Sequence, residues 1–187
     1  EQSASVRSPY GCLLTARARR GVFVETQQKR PQGYEMVIAG HCMSISAVDD
    51  VGFHNATRTV RQLIADGPRV PAVKIVDFPS VPVRALHLDL KGLTPNFQTL
   101  KDAVERAALY KFNTVIIEYE DRFAYECVPE LRGPGCLGKD QVRELVDLAA
   151  SRAIEIVPMV QTLRHMEYLL RLPAYEGYRE VRELPHQ

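Results

Sequence analysis

Hydrophobic and polar residues change rhythm near position 84. Over residues 84–90, Leu86, Leu88 and Leu90 alternate with His87 and Asp89, and Pro82, Gly92 and Pro95 bound the run. Period-two spacing of this kind predicts a strand. A parallel strand normally buries both faces, so Arg84 at one end and Asp89 near the other must pair or face something wet. Residues 96–110 then place Leu100, Ala103, Val104, Ala107 and Ala108 at helical spacing. The continuous apolar run Val115, Ile116, Ile117 within 113–118 predicts a strand covered on both sides. A long loop over 119–138 leads to a predicted helix over 140–152, with Val142, Leu145, Val146 and Ala149 inward. Residues 154–160 read as a third buried strand. After Gln161 and Thr162 a helix over 166–172 is expected, stopped by Pro173. Strand and helix alternate three times with crossovers long enough to be right-handed, which argues for parallel (β/α) architecture.

Upstream of position 84 the pattern is different. Residues 1–20 have weak periodicity and predict one irregular or edge strand. Val22, Phe23 and Val24 predict a strand over 21–26. Two more are predicted over 34–38 and 42–46, joined as a hairpin across Ala39, Gly40 and His41. Asp49 or Asp50 caps a helix carrying Phe53, Ala56, Val60, Leu63 and Ile64 on one stripe, and Gly67 ends it. A short strand over 72–76 precedes a proline-marked linker at 77–82. The chain is therefore expected to be α/β, with a small two-layer α+β domain over 1–80 and the first strand-helix units of a TIM barrel over 81–187. A complete (β/α)8 barrel needs eight strands and about 250 residues. Three units leave an incomplete barrel with two open strand edges. Either this is the N-terminal portion of a longer protein lacking its C-terminal barrel half, or a self-contained module that forms a homo-oligomer to cover those edges.

Composition narrows the functional classes. The 187 residues, 45% hydrophobic and 25% charged, suit one or two ordinary globular domains. A net charge of +1 gives no electrostatic case for nucleic acid or an anionic membrane surface, and Arg17, Arg19 and Arg20 read as a solvated cluster. No run of about 18 apolar residues is present to span a membrane. Glu1 in place of an initiating Met fits a processed precursor or an excised segment, and no targeting segment fixes the compartment. Cys12, Cys42, Cys127 and Cys136 match no zinc spacing, so no metal site is expected, and nothing implies a cofactor. Cys127 and Cys136 share a loop with Pro129, Gly133, Pro134 and Gly135. They are either a short disulfide, which would imply an oxidising compartment, or free thiols.

Several stretches also carry a family resemblance. The run from Asp77, Phe78 and Pro79 through Arg84, His87 and Asp89 resembles the lead-in to the barrel of the family 20 glycoside hydrolases, the β-N-acetylhexosaminidases. The helix with Asn55, Ala56, Thr57, Arg58, Val60 and Leu63 resembles that of the small α/β domain preceding this barrel. Two later stretches are similar to the second and third barrel strands of the hexosaminidase D branch: Tyr110 to Asp121, ending in Glu118, Tyr119, Glu120 and Asp121, and Ile156 to Tyr168, with Gln161, Thr162, Leu163, His165, Met166, Glu167 and Tyr168.

The resemblance implies removal of a terminal β-linked N-acetylhexosamine from a glycan. The acetamido oxygen of the sugar itself attacks the anomeric carbon, so the protein supplies no covalent nucleophile. The family's Asp-Glu pair belongs to a fourth strand that this chain lacks, so no catalytic residue is assigned within it, and the alternative reading is a non-catalytic carbohydrate-binding or structural (β/α) module. No Trp is present to wall a sugar pocket. Arg84 matches the family Arg that holds sugar hydroxyls, with five fixed donors suited to a vicinal diol. It opens its strand, however, whereas barrel sites gather at C-terminal strand ends, so pairing with a nearby carboxylate is the other reading. Asp121 and His165 match the family's supporting pair of carboxylate and imidazole. The alternatives are a loop-capping Asp121 and a His165 with only a structural role. Glu118 is placed at the barrel mouth as a substrate-binding residue, sharing a face with Glu120, while Asp89 either joins them or closes a salt bridge. Arg164 departs from the family pattern, which has Gly before the His. A cation there would crowd the sugar or pair with Glu118 or Asp121.

Overall fold

The computed structural model describes residues 2–7, 13–18, 30–40, 42–65, 67, 70–92 and 95–181. The strand predicted over 21–26 lies outside them, as does Cys12. The chain divides into two compact units, Glu1–Arg84 with Ala108–Lys111, and Ala85–Ala107 with Phe112–Gln187. No helix among the described residues is long and apolar enough to cross a membrane.

The first unit holds a five-stranded sheet made of β1 (Gln2–Arg7), β2 (Leu13–Ala18), β3 (Tyr34–Ala39), β4 (Cys42–Ala47) and β5 (Val73–Asp77), in the order β1-β2-β4-β3-β5. Residues 1–20 thus supply two paired strands where one was expected. They are joined by the antiparallel β1-β2 ladder, and β2 in turn pairs with β4 in parallel. β3 and β4 form the predicted hairpin, with Ala39 opposite Cys42 and Gly40 at a φ of 58°. Alternation is strict: Tyr34, Met36 and Ile38 of β3 and Met43, Ile45 and Ala47 of β4 face inward. Against them packs α1 (Asp50–Leu63) through Phe53, Ala56, Val60 and Leu63. Asp49 is the capping residue, its Oδ1 accepting from Gly52 N at 2.7 Å and its Oδ2 from Gln32 N at 2.7 Å. Ile64, expected on the apolar stripe, is the C-cap and is 48% exposed. The buried face of α1 is also more polar than its apolar spacing suggested. Asn55, Arg58 and Thr59 are buried there, with Asn55 Nδ2 donating to Gln32 O, Arg58 Nη1 donating to Asn55 Oδ1, and Thr59 Oγ1 2.6 Å from the Tyr34 hydroxyl.

The second unit contains a three-stranded parallel sheet, β6 (Ala85–Asp89), β7 (Thr114–Glu118) and β8 (Glu155–Met159), with β7 in the centre. The crossovers are α2 (Phe97–Leu109) and α3 (Lys139–Ser151). Asn96 Oδ1 accepts from Thr99 N at 2.8 Å at the start of α2, and Gln141 Oε1 accepts from Gly138 N at 3.0 Å at the start of α3. Register defines two faces. Leu86, Leu88, Val115, Ile117, Ile156 and Pro158 share one, and Ala85, His87, Asp89, Thr114, Ile116, Glu118, Val157 and Met159 share the other. Val115 and Ile117 are fully buried, as are Leu145, Ala149 and Val104 from the helices. Only β7 is closed on both sides, as the sequence predicts. The expected third buried strand is half open, with Val157 36% and Val160 56% exposed, because β8 is an edge strand. Val146, expected inward on α3, is 42% exposed. The helix predicted over 166–172 shortens to α4 (Glu167–Leu170), and Pro173 starts a 3-10 segment, Pro173–Tyr178, where a stop was expected.

Candidate functional site

The C-terminal ends of β6 and β7 bring a charged cluster together. Parallel pairing sets Asp89 beside Glu118, and the period of two carries His87 and Asp89 on the same face. Past the strand, Lys91 N donates to Asp89 Oδ1 at 2.8 Å, a local turn that folds the lysine back over the strand ends. Its ammonium lies 3.1 Å from Glu120 Oε1, 3.3 Å from Glu118 Oε1 and 3.7 Å from Asp89 Oδ2. His87 Nε2 is 3.2 Å from Glu118 Oε2. From beyond β8, Gln161 Nε2 donates to Glu118 Oε1 at 2.7 Å, and its own carbonyl accepts the Tyr168 hydroxyl at 3.5 Å.

Glu118 is 2% exposed and Glu120 7%. Between them, Tyr119 begins a tight turn in which Arg122 N donates to Tyr119 O at 2.7 Å and Glu120 adopts a φ of 45°. That left-handed backbone turns Glu120 back toward the ammonium. The aromatic rings of Tyr119, Phe123 and Tyr125 follow in edge-to-face contacts, with centroids 5.8 Å and 5.1 Å apart. Burial pushes the Tyr125 hydroxyl up to about 12.

The two glutamates respond oppositely to this setting. The Gln161 hydrogen bond holds the Glu118 carboxyl below its ordinary value against the cost of burial, and Lys91 and His87 add to the lowering. For Glu120 burial dominates and pushes the carboxyl up, the charges of Glu118 and Asp89 adding to it and Lys91 opposing. Desolvation alone would lower Lys91, but the carboxylates of Glu120 and Glu118, 3.1 Å and 3.3 Å from its ammonium, raise it to about 12. Three carboxylates thus share one durable cation, a mixed array of acceptors and donors suited to hydroxyl groups. Among the described residues no group of three or more His, Cys, Asp or Glu side chains is arranged to hold a metal ion.

Asp121 heads a second cluster. Its Oδ2 accepts from Arg171 Nη2 at 2.9 Å, and its Oδ1 lies 3.2 Å from Arg122 Nε. Its backbone carbonyl accepts from Gly133 N at 2.7 Å, and the bare Cα of Gly133 leaves room for the carboxylate, which a Cβ there would meet at 2.5 Å. His165 is exposed with a φ of 55°, and the structure makes no hydrogen bond between it and Asp121.

Arg84 does not join either cluster. It precedes β6, at the opposite end of that strand from Asp89. Its guanidinium donates to the carbonyls of Lys111 at 2.8 Å, Val81 at 3.1 Å and Pro82 at 3.3 Å, and to Gln32 Oε1 at 2.7 Å. Backbone carbonyls have claimed the donors that would have suited a diol. Arg164 is exposed, and Glu118 and Asp121 have other partners than this cation. Cys127 and Cys136 are free thiols, which removes the disulfide alternative.

Lys91 and Arg171 were not found from the sequence, and Gln161, part of the run over 161–168, was given no role there. Lys91 carried a signal, because spacing of two along 87, 89 and 91 continues one strand face past its end. Gln161 and Arg171 act across loops and had no such periodic signal.

Residues 6–78 match the family model described as glycosyl hydrolase family 20, domain 2. Hexosaminidase D of Homo sapiens is 36% identical over 104 residues, covering 55% of this chain and 21% of the human protein. Hexosaminidase D of Bos taurus is 35% identical over 105 residues, covering 56% of this chain and 30% of the bovine protein. The β-N-acetylhexosaminidase structure from Bacteroides fragilis NCTC 9343 aligns with a TM-score of 0.71 at 25% identity, over 84% of this chain and 34% of that one. That of the Streptomyces coelicolor A3(2) enzyme gives 0.69 at 26% identity, over 83% and 36%. The chain thus spans less than a third of the length of either curated relative.

Proposed function

We propose that this chain, whose residues 6–78 match glycosyl hydrolase family 20, domain 2, is the N-terminal part of a β-N-acetylhexosaminidase of that family, a glycosidase removing terminal β-linked N-acetylhexosamine from glycans. In this assignment residues 1–80 are the family's N-terminal domain, and residues 81–187 are the first three strand-helix units of a (β/α)8 barrel. The sugar would lie over the C-terminal strand ends, where barrel chemistry gathers. One observation carries the assignment: parallel β6 and β7 deliver Asp89, Glu118 and Glu120 to a single mouth around Lys91. Glu118, kept ionised, serves as an acceptor for sugar hydroxyls, and Asp121 supports the reacting end, without the His165 partner the resemblance implies. Arg84, tied to carbonyls, is assigned to the strand's lead-in and not to the sugar. The substrate's acetamido oxygen attacks the anomeric carbon with retention of configuration, and the carboxylates that orient it and protonate the leaving oxygen belong to a later strand. The 187-residue chain by itself is accordingly assigned no turnover.

The test uses the full-length protein from which this sequence comes, assayed with a chromogenic β-N-acetylglucosaminide beside the isolated chain. Hydrolysis by the first but not the second, and a fall of about a hundredfold in kcat/KM for Glu118→Gln, are expected; a charged hydrogen bond lost from a buried site is worth about that much. A full-length protein that binds N-acetylglucosamine oligomers without cleaving them would leave only a binding role.

A further inference from the structure

Resting on that reading, we infer that Arg171 is a positioning residue for Asp121, holding its carboxylate from the segment after β8 in the place where an imidazole was expected.

Asp121 is 8% exposed, and a carboxylate so buried needs partners that replace water. Its two neighbouring guanidinium groups are not equivalent. Arg122 Nε lies 3.2 Å from Oδ1, yet that nitrogen is buried without a hydrogen bond of acceptable geometry. The Arg122 fork is instead spent on backbone, with Nη1 donating to Pro134 O at 2.7 Å and Nη2 to Gly92 O at 3.5 Å. Arg122 therefore supplies charge and anchors the 119–138 loop, but leaves the orientation of the carboxylate open. Arg171 Nη2 supplies it, donating to Oδ2 at 2.9 Å. Gly133 stands against that same oxygen, and its missing Cβ gives the clearance.

Arg171 is itself well placed. It is the C-cap of α4, its N–H donating to Glu167 O and Leu169 O. Tyr168 of the same helix is buried and reaches Gln161, which in turn holds Glu118. Residues 161–171 thus carry two side chains, Gln161 and Arg171, each fixed on one carboxylate of the β7 exit. His165, on the same segment but exposed, holds neither.

Two measurements test the assignment. In the isolated chain, hydrogen exchange over 119–124 and 167–171 is compared for wild type, Arg171→Ala, Arg171→Lys, Asp121→Asn and the double variant. Both segments should lose protection together in either single variant, with the double variant no worse and Lys restoring part. In the full-length protein, Arg171→Ala should lower kcat about tenfold with KM within twofold, and Lys should recover part of the loss. Arg143→Ala, which breaks only a surface pair with Asp140, serves as the control. Additive effects of the Arg171 and Asp121 changes, a kcat left unchanged by Arg171→Ala, or a Lys variant no better than Ala would overturn the inference. Absence of hydrolysis by wild type would instead defeat the hexosaminidase reading, while exchange in the isolated chain still decides the pairing.

Discussion

Replacing Lys91 with Met removes one ammonium from among three carboxylates and keeps the length of the stem. The side chains of Glu118 and Glu120 are only 3% and 7% exposed, whereas that of Lys91 is 38% exposed. Removing one partner of a fully buried pair costs about 3–5 kcal/mol, and an exposed pair is worth about 0.2–1 kcal/mol. Here the acids are buried and the cation is not, so the expected cost lies between these, at about 2 kcal/mol near neutral pH. For a unit of roughly a hundred residues that corresponds to a fall in Tm of about 10 °C. The pH dependence gives the sharper test. The lowered Glu118 value stabilises the fold above the unfolded carboxyl range, and that benefit is lost as pH falls through the folded value. Glu120, raised by burial, works in the opposite sense, its strain relieved by protonation. Without Lys91 both carboxyls move up, so the variant gains more from acid than the wild type does. The wild-type advantage should therefore shrink as pH drops from about 7 to about 4. At the alkaline end, the contribution of Lys91 is full below the ordinary lysine range and fades as pH rises through about 12. Urea denaturation of both proteins across pH, followed by far-UV circular dichroism, measures the gap. A gap independent of pH, or a variant more stable than wild type at neutrality, refutes the ion cluster as the organiser of the mouth.

Four further outcomes are expected. Gly52→Ala should destabilise by about 2–4 kcal/mol in thermal melts, because its Cβ would strike the Gly33 carbonyl oxygen and outweigh the helix propensity gained, about 1 kcal/mol. Gly177→Ala, facing open space, should stay within about 0.5 kcal/mol of wild type. Arg84→Lys should cost about 1–2 kcal/mol through lost carbonyl bonds while leaving KM for the chromogenic sugar unchanged in the full-length protein; a tenfold rise in KM would place Arg84 at the sugar instead. Glu105→Ala removes the forked pair with Arg152, whose side chains are 36% and 40% exposed, so denaturation should show a loss below about 1 kcal/mol that disappears in about 1 M salt.

What the sequence disclosed, and what it withheld, follows from the range of each interaction. The Asp49 cap, the 34–39 and 42–47 hairpin and the apolar centre of β7 are set by residues within a few positions of one another, so spacing alone exposed them. Asn55, Arg58 and Thr59 sit on a buried helix face because Gln32 and Tyr34 satisfy them from another element, which a helical stripe of apolar residues does not reveal. Glu118 was legible as the last residue of a buried strand. Its partners were not: Lys91 depends on the β6-β7 register, and Gln161 on the path taken after β8. Arg84 shows the converse, since its residue type suited a sugar while its place at the start of a strand gave it to the backbone.

The alternation of faces along β7 also says where this chain can change length. Inserting or deleting one residue inside the strand would swap the parity of every side chain after it, sending Glu118 into the helix layer and offering Ile117 to the mouth. Related chains should therefore differ in length within stretches such as 122–138, and keep 114–118 free of gaps.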